Sequence, residues 1–270
     1  MAITKKVIRR LRIPYDYLVF RARALRLGVQ ERTHHGNSAS GLRVPPPLLR
    51  YRVHGAFDLD SYLQAGQLSA QSLRALLSSV GKDLFSFDKV LDFGCGSGRT
   101  LRSLKDRPAS CQLYGTDIDE QAIDWCKRHL DIASWSANNP WPPLAYAGQT
   151  FDFIYAISVF THLDEDMQFA WLDELKRISK PDAVLILSVH GESTHAQLSA
   201  EAKATISEKG FLFGKGVTGL FKQDGLPDFY QTTYHSRAYI EDRWSRFFSV
   251  IGYVERGMNA HQDAVILQNR

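Results

Sequence analysis

Apolar residues along the chain alternate between a helical and a strand period. From Asp58 to Val80, Leu59, Leu63, Leu73, Leu76, Leu77 and Val80 recur at helical spacing, and Gly66 is expected to split the stretch into two helices. After Gly81 the pattern changes. Val90–Phe93 reads as a short strand running into glycines, Leu101–Leu104 as a helical turn and Cys111–Gly115 as a second strand. Asp119–His129 reads as a helix with Ile123 and Cys126 inward, Trp135 as part of a third short strand, and Phe151–Val159 as a fourth. In Asp164–Ser179, Met167, Trp171, Leu175 and Ile178 line one helical face. Acids open that helix, Lys176 and Arg177 close it as the helix dipole favours, and Pro181 stops it. Ala183–Val189 is apolar but for Ser188, as a strand buried on both faces should be.

Strands alternating with helices predict an α/β fold with a doubly wound, mostly parallel sheet. The tail reads as a further strand (Phe229–Tyr234), a helix (Arg237–Phe247) and two strands (Val250–Glu255, Ala264–Gln268) close enough to form an antiparallel terminal hairpin. The main sheet is expected to hold seven strands and to end in that hairpin, a Rossmann-like arrangement. Residues 193–227 form the longest insertion between strands. A polar helix (Ala200–Lys209), four apolar residues among glycines and the hinge candidates Gly214, Gly216 and Gly219 suggest a lid.

Upstream, a helix broken at Pro14 resumes over 16–27, and a loop with three consecutive prolines, Pro45–Pro47, marks the best domain boundary. Residues 1–56 are thus expected to form an N-terminal arm and proline-rich loop, and 57–270 the main domain. Charge sharpens this division. Twelve of the 33 Lys/Arg and two of the 29 Asp/Glu lie in residues 1–52, so that segment carries +10 and the remainder −6. Such an arm suits phosphates, anionic lipid or an acidic partner, or is a solvated cover for the body. Its aromatics, Tyr15, Tyr17 and Phe20, cluster rather than interleave with the basic residues, which argues against a base-stacking platform and makes nucleic acid a disfavoured partner. Apolar content of 44% and charged content of 23% fit a soluble protein. No run approaches a membrane span, and the N-terminus is too charged for a signal peptide. Three cysteines, Cys95, Cys111 and Cys126, with no C-x-x-C pair, fit a reducing compartment, so the chain is expected in the cytoplasm or peripheral to a membrane.

The chemistry concentrates in Val90–Thr100, where Gly94, Gly96 and Gly98 follow a strand and open a helical turn. Bare backbone there lets a ligand approach closely. The spacing is G-x-G-x-G rather than the dinucleotide G-x-G-x-x-G, and Asp92 precedes it. A carboxylate at that point would repel a pyrophosphate and suit a cationic amino group. Asp117, after the next strand, is placed to accept from both hydroxyls of a ribose. An amino acid and a nucleoside in one ligand describe S-adenosylmethionine. Each residue alone also has a structural reading, Asp92 as a turn cap and Asp117 and Asp119 as helix caps. It is their joint order that points to the ligand.

On these residues the chain resembles the class I S-adenosylmethionine-dependent methyltransferases, Asp92–Gly98 their first motif and Gly115–Asp119 their second. Within that superfamily it is most similar to a bacterial group associated with glycan or secondary-metabolite genes, on Leu49–Val53, Val90–Arg102, Pro142–Leu144, Ile157–Leu163, Ser188–Gly191 and Tyr234–Ser236. The resemblance implies that the methionine amine and carboxylate lie near Asp92, Gly94, Cys95 and Gly96, and the ribose near Asp117. It further implies Ile118 against the adenine, Asn138 near the adenine amine and Ile157 near the methionine tail. Where such enzymes carry Lys-Pro-Gly-Gly, this chain has Lys180-Pro-Asp-Ala183, and Asp182 is expected in left-handed geometry.

Ligands of open α/β sheets lie beyond the carboxyl ends of the strands, so His162 after the fourth strand and His190 after the fifth are the candidate catalytic residues. An alcohol acceptor needs its proton removed, and His190 is the favoured base with His162 positioning. Each histidine could instead be a packing or backbone-bonded residue. His235 and His261 could approach the same rim. Asn139–Pro142 faintly resembles the signature of methyltransferases acting on amide or base nitrogens but precedes the fourth strand rather than following it, so adenine and glutamine N-methylation are not expected, and no H-x-H or H-E-x-x-H metal-ligand spacing occurs. The resulting expectation is methyl transfer to a hydroxyl of a small molecule or glycan. The alternatives are a nucleic-acid-associated methyltransferase or tethering module using the arm, and a catalytically silent cofactor-binding protein.

Overall fold

The computed structural model describes residues 17–31, 41–214 and 226–270. Its centre is a seven-stranded sheet built from β1 (Lys89–Phe93), β2 (Gln112–Asp117), β3 (Ser134–Ala137), β4 (Phe151–Ala156), β5 (Ser179–Val189), β8 (Ser249–Met258) and β9 (Gln262–Gln268). The strand order is β3-β2-β1-β4-β5-β9-β8. The first five strands are parallel, and β9 joins β5 antiparallel and carries β8 as the edge. This is the mostly parallel, hairpin-ended sheet that the pattern predicts. The order reverses between β1 and β4, and there the loops after neighbouring strands diverge and open a crevice.

Helices cover both faces. α3 (Leu59–Ser79) and α4 (Glu120–His129) lie on one side, where Leu73, Leu77, Ile123 and Cys126 join Val90, Phe153 and Tyr155. On the other, α5 (Glu165–Ile178) and α7 (Arg237–Arg243) bring Met167, Trp171, Leu175 and Ile240 against Leu91, Ile154, Leu185 and Val265. The capping chemistry is legible. Asp58, Asp119, Asp164 and Ser236 each accept main-chain N–H groups of the helix that follows.

Four local expectations are corrected. Gly66 does not divide a helix, because α3 runs unbroken through it. A β-carbon at Gly66 would lie 2.3 Å from the Arg99 carbonyl, so glycine is there to let the loop after β1 touch the helix. Pro47 is helical, at the start of α2 (Pro47–His54), where a missing N–H costs nothing. β4 ends at Ala156, because Ser158 turns the chain at φ +60°. The strand read at Phe229–Tyr234 is β7 (Thr232–His235), and it pairs with β6 (Phe211–Gly214) in a separate two-stranded sheet. Asp182 has φ +61°, the left-handed geometry expected of it.

Within the insertion, α6 (Ala200–Lys209) forms as read, whereas Gly216, Gly219 and the hinge role given to them lie outside the described residues. Residues 17–31 are helical (α1), and Phe20 of that helix sits between Tyr51 and Phe57 at ring distances of 4.6 and 5.1 Å. Arg50 of α2 is buried and binds Glu31 and the carbonyls of Pro45 and Phe57. The described residues contain no helix long and apolar enough to cross a membrane.

Candidate active site

The loop after β1 is held by its own backbone and by the next strand. Gly94 and Cys95 donate to the Thr116 carbonyl, and Gly96 donates to the Asp117 carboxylate at 2.7 Å. Tyr62 of α3 reaches Ser97 at 3.0 Å. Gly94 (φ +82°) and Gly96 (φ +53°) lie under Val159 and Val53, so closely that a β-carbon would come within 2.2 and 2.4 Å of those side chains. Any side chain there would fill the crevice.

The crevice is a pocket walled by Asp92, Gly94, Cys95, Gly96, Asp117, Ile118, Asn138 and Ile157, eight of the residues singled out from the sequence. Gly98 stands behind it, at φ +75°, where a β-carbon would come within 2.9 Å of Trp135 and 3.0 Å of Leu130. Asp117 accepts from the amides of Gly96 and Asp119, and Asn138 accepts from the Thr116 hydroxyl at 2.9 Å. The remaining wall contains residues that the motif did not flag: Arg52 and Val53 from α2, Arg99, Ser158 and Val159, and Tyr230 from the far side of the insertion. Arg52 pairs with Asp119 at 2.8 Å and so ties α2 to the start of α4. Only its place in Leu49–Val53 could have signalled it.

Charge in the pocket is unsettled. Asp92 is buried, with Tyr155 donating to it at 3.0 Å, and loss of water raises its pKa to about 8, helped by the neighbouring Asp117. Burial pushes Asp117 upward as well. Arg99 donates to the Val53 carbonyl at 3.2 Å, but its Nε is shut off from solvent with no partner, and burial lowers its pKa. A buried acid that needs a cation and a buried guanidinium nitrogen that needs an acceptor are together what a zwitterionic amino-acid group would satisfy.

His162 and His190 do not wall the pocket themselves. Tyr230 stands at that end, stacked on His162 with ring centroids 3.9 Å apart and donating to the Ser158 carbonyl at 3.2 Å. His190 lies behind His162, at a ring distance of 6.2 Å. The two rings are held alike: His162 Nδ1 meets the Gln231 carbonyl at 2.6 Å and His190 Nδ1 the Thr233 carbonyl at 3.1 Å. A carbonyl has no proton to give, so each Nδ1 carries the hydrogen and each Nε2 is the acceptor nitrogen. Burial lowers the His190 pKa, against a smaller opposing effect of the Thr233 carbonyl. His235 is fully buried, bonds Gln168 at 2.9 Å and is pushed down to about 3, a packing residue beneath the rim. His261 is exposed at the β8–β9 turn, and its charge bears on His190.

Comparison with known proteins agrees with the fold. A tRNA N(3)-methylcytidine methyltransferase of Schizosaccharomyces pombe is 25% identical over 55% of this chain and 51% of its own length. A malonyl-[acyl-carrier protein] O-methyltransferase of Hahella chejuensis is 26% identical over 50% and 51%. The chain therefore spans about half the length of these relatives. The crystal structure of magnesium protoporphyrin IX methyltransferase from Synechocystis, with S-adenosylhomocysteine bound, superposes over 82% of this chain and 93% of that one, with a TM-score of 0.52 at 17% identity, a likeness of fold. The family model for the methyltransferase domain matches residues 63–233, from α3 through the parallel sheet to β7, and the chain belongs to that family.

Proposed function

We propose that this chain transfers a methyl group from S-adenosylmethionine to a hydroxyl of a small molecule or glycan, with His190 as general base and His162 as positioning residue. The observation that carries the reading is the pair of rings whose Nδ1 atoms are engaged by main-chain carbonyls, which turns Nε2 of each into the proton-accepting atom. The acceptor class rests on the resemblance of the sequence motifs to a bacterial group associated with glycan or secondary-metabolite genes, whereas the comparisons support the methyltransferase family. The bound cofactor would supply an electrophilic sulfonium methyl. Asp92 would hold its ammonium, Arg99 its carboxylate and Asp117 its ribose hydroxyls. Ile118 would meet the adenine, Asn138 the adenine amine and Ile157 the methionine tail, with Gly94, Cys95 and Gly96 offering bare main chain. Gly98 would keep the loop tight against Trp135. His190, uncharged at neutral pH, would take the acceptor's proton at Nε2 as the oxygen attacks, and His162 would fix the acceptor's approach beside Tyr230.

The test is turnover on hydroxylated acceptors. His190→Ala should lower kcat about 10²–10⁴-fold with cofactor affinity within a few-fold. Because burial lowers the His190 pKa, the parent rate should rise with pH below the ordinary histidine range and then level off. Near-normal turnover of His190→Ala removes the assignment, and loss of the pH dependence in His162→Ala alone exchanges the two roles.

A second reading, methylation of RNA, draws on a relative named as a tRNA cytidine methyltransferase and on the +10 of residues 1–52, and it weakens the case against nucleic acid made from the arm's aromatics. Methyl incorporation into tRNA, with none into hydroxylated acceptors, would favour it. Tight cofactor binding with no turnover on either would favour a silent binding protein.

A further inference from the structure

The surface of α1 is built for something other than water. Eight large apolar side chains are exposed among the described residues, and four of them lie on this one helix: Leu18 (66%), Val19 (49%), Leu25 (72%) and Val29 (62%). Their spacing is ordered. Leu18, Ala22, Leu25 and Val29 follow one another at four, three and four residues and form a single line along the helix. The opposite line, Phe20 and Ala24, is buried against the body. The helix thus carries two apolar faces, and only one is covered by the described residues.

The charges flank the outward face. At ~100° per residue, Arg21 falls on one side of the Leu18–Val29 line and Arg26 on the other, and both are exposed. Arg23 lies nearer the body, over the Phe57 ring at 5.6 Å. The only acid of residues 17–31 is Glu31, which is committed to Arg50. The sequence immediately before the helix adds Lys5, Lys6, Arg9, Arg10 and Arg12 against Asp16.

We infer that α1 is a peripheral docking helix that seats the protein on an anionic lipid bilayer. An aliphatic line between arginines is the pattern of a helix lying in the membrane interface, with apolar side chains sunk below the headgroups and guanidinium groups beside lipid phosphates. Charge complementarity selects this occupant. A second copy of the chain would bring Arg21 and Arg26 against their own counterparts around a two-fold axis. A nucleic acid would meet an aliphatic ridge with no ring on which to stack a base. Docking would also orient the pocket. Phe20 packs on Tyr51, the residue before Arg52 and Val53 in the pocket wall, so α1 and the pocket are joined through one short helix.

Flotation of the full chain with phosphatidylcholine vesicles, with and without roughly 30 mol% phosphatidylglycerol as the anionic lipid, tests the inference. Binding is expected on the anionic vesicles and should weaken as salt rises. Leu25→Glu with Val29→Glu should lower it by about tenfold or more. Arg21→Gln with Arg26→Gln should lower it about 25-fold on anionic vesicles and leave the weak binding to neutral ones unchanged. Melting temperature and S-adenosylhomocysteine affinity should stay at parent values in both variants, which separates lost docking from lost fold and from failure of the cofactor reading. No flotation at low salt, equal flotation of parent and Leu25/Val29 variant, or a parent dimer in light scattering that the same variant dissolves, would each overturn it.

Discussion

Asp92 makes the binding reaction a proton reaction. With its pKa at about 8, its carboxyl is mostly protonated at neutral pH in the empty pocket. An ammonium group placed against it favours the ionised form, so binding must expel that proton. At pH 7 a group of pKa about 8 that becomes fully ionised releases about 0.9 proton per ligand, and affinity should fall about tenfold for each pH unit below 8. Calorimetry with S-adenosylhomocysteine in buffers of different ionisation enthalpy reads the released proton directly, as the slope of observed heat against buffer enthalpy. Asp92→Asn should abolish the slope and weaken binding, while Asp117→Asn should weaken binding and leave most of the slope. The empty protein supplies a second readout. A carboxyl raised above its unfolded value of 3.8 stabilises the fold below that value and loses the contribution as pH rises through about 8. His235, lowered from 6.5 to about 3, works in the opposite sense, adding stability above 6.5 that is lost as pH falls toward 3. The clean window for Asp92 is therefore pH 6.5 to 8, where melting temperature should fall for the parent and stay level for Asp92→Asn. A heat of binding independent of buffer at pH 7 would refute the reasoning, since it would mean either that Asp92 is ionised before the ligand arrives or that no cation meets it.

Arg99→Gln should weaken S-adenosylhomocysteine binding by about 1.5–3 kcal/mol in the same calorimeter, and unchanged affinity would show that the ligand carboxylate lies elsewhere. Glu31→Gln leaves the fully buried Arg50 without its counter-charge. Because Glu31 is itself one-third exposed, the expected loss is about 1–3 kcal/mol, read as a fall of several degrees in the melting temperature, and an unchanged midpoint would show that the carbonyls of Pro45 and Phe57 suffice. Gly66→Ala forces a β-carbon onto the Arg99 carbonyl and should cost about 1–3 kcal/mol while also weakening ligand binding, because the displaced residue walls the pocket. A variant with parent stability would mean that α3 can slide away from the loop.

What could be read in the sequence was what local chemistry dictates. The strand-to-glycine junction at Asp92–Gly98 and the acid ending β2 are contiguous motifs, and the backbone follows them. The apolar line of α5 and its acid-to-base polarity specify that helix without help from the rest of the chain. What could not be read depends on contacts between distant segments. Gly66 looks like a helix breaker until Arg99 is seen against it, 33 residues on. Arg52 and Val53 belong to the stretch Leu49–Val53 but carry no chemistry that marks a cofactor, Tyr230 lies in no motif, and they reach the pocket only because Arg52 ties α2 to the start of α4 and because the chain entering β7 passes the loop after β4. The exposed face of α1 has the same origin. The sequence shows a helix over 16–27, and folding shows which of its two apolar faces the body covers.

The course of the chain into β7 changes how the insertion must be understood. Read by length and glycine content, residues 193–227 are a mobile cover over the site. The chain that follows them is fixed instead. The amides of Gln231 and Thr233 donate to the carbonyls of His162 and Thr161, and the amide of His235 to that of His190, so β7 is laced between the loops after β4 and β5. The carbonyls of Gln231 and Thr233 hold the two histidine rings in turn. One short strand and the residue before it therefore set the spacing of both loops and the tautomer of both rings. A rigid support of this kind is what a base needs, since a misplacement of about 1 Å can cost two orders of magnitude in rate. Its consequence is testable without touching either histidine. Gln231→Pro removes the amide that ties β7 to His162 while keeping the carbonyl under its ring. It should lower kcat with little change in cofactor affinity, because Asp92, Asp117 and the glycine loop are anchored on β1 and β2. Equal losses in kcat and in affinity would show that β7 supports the whole pocket rather than its histidine end.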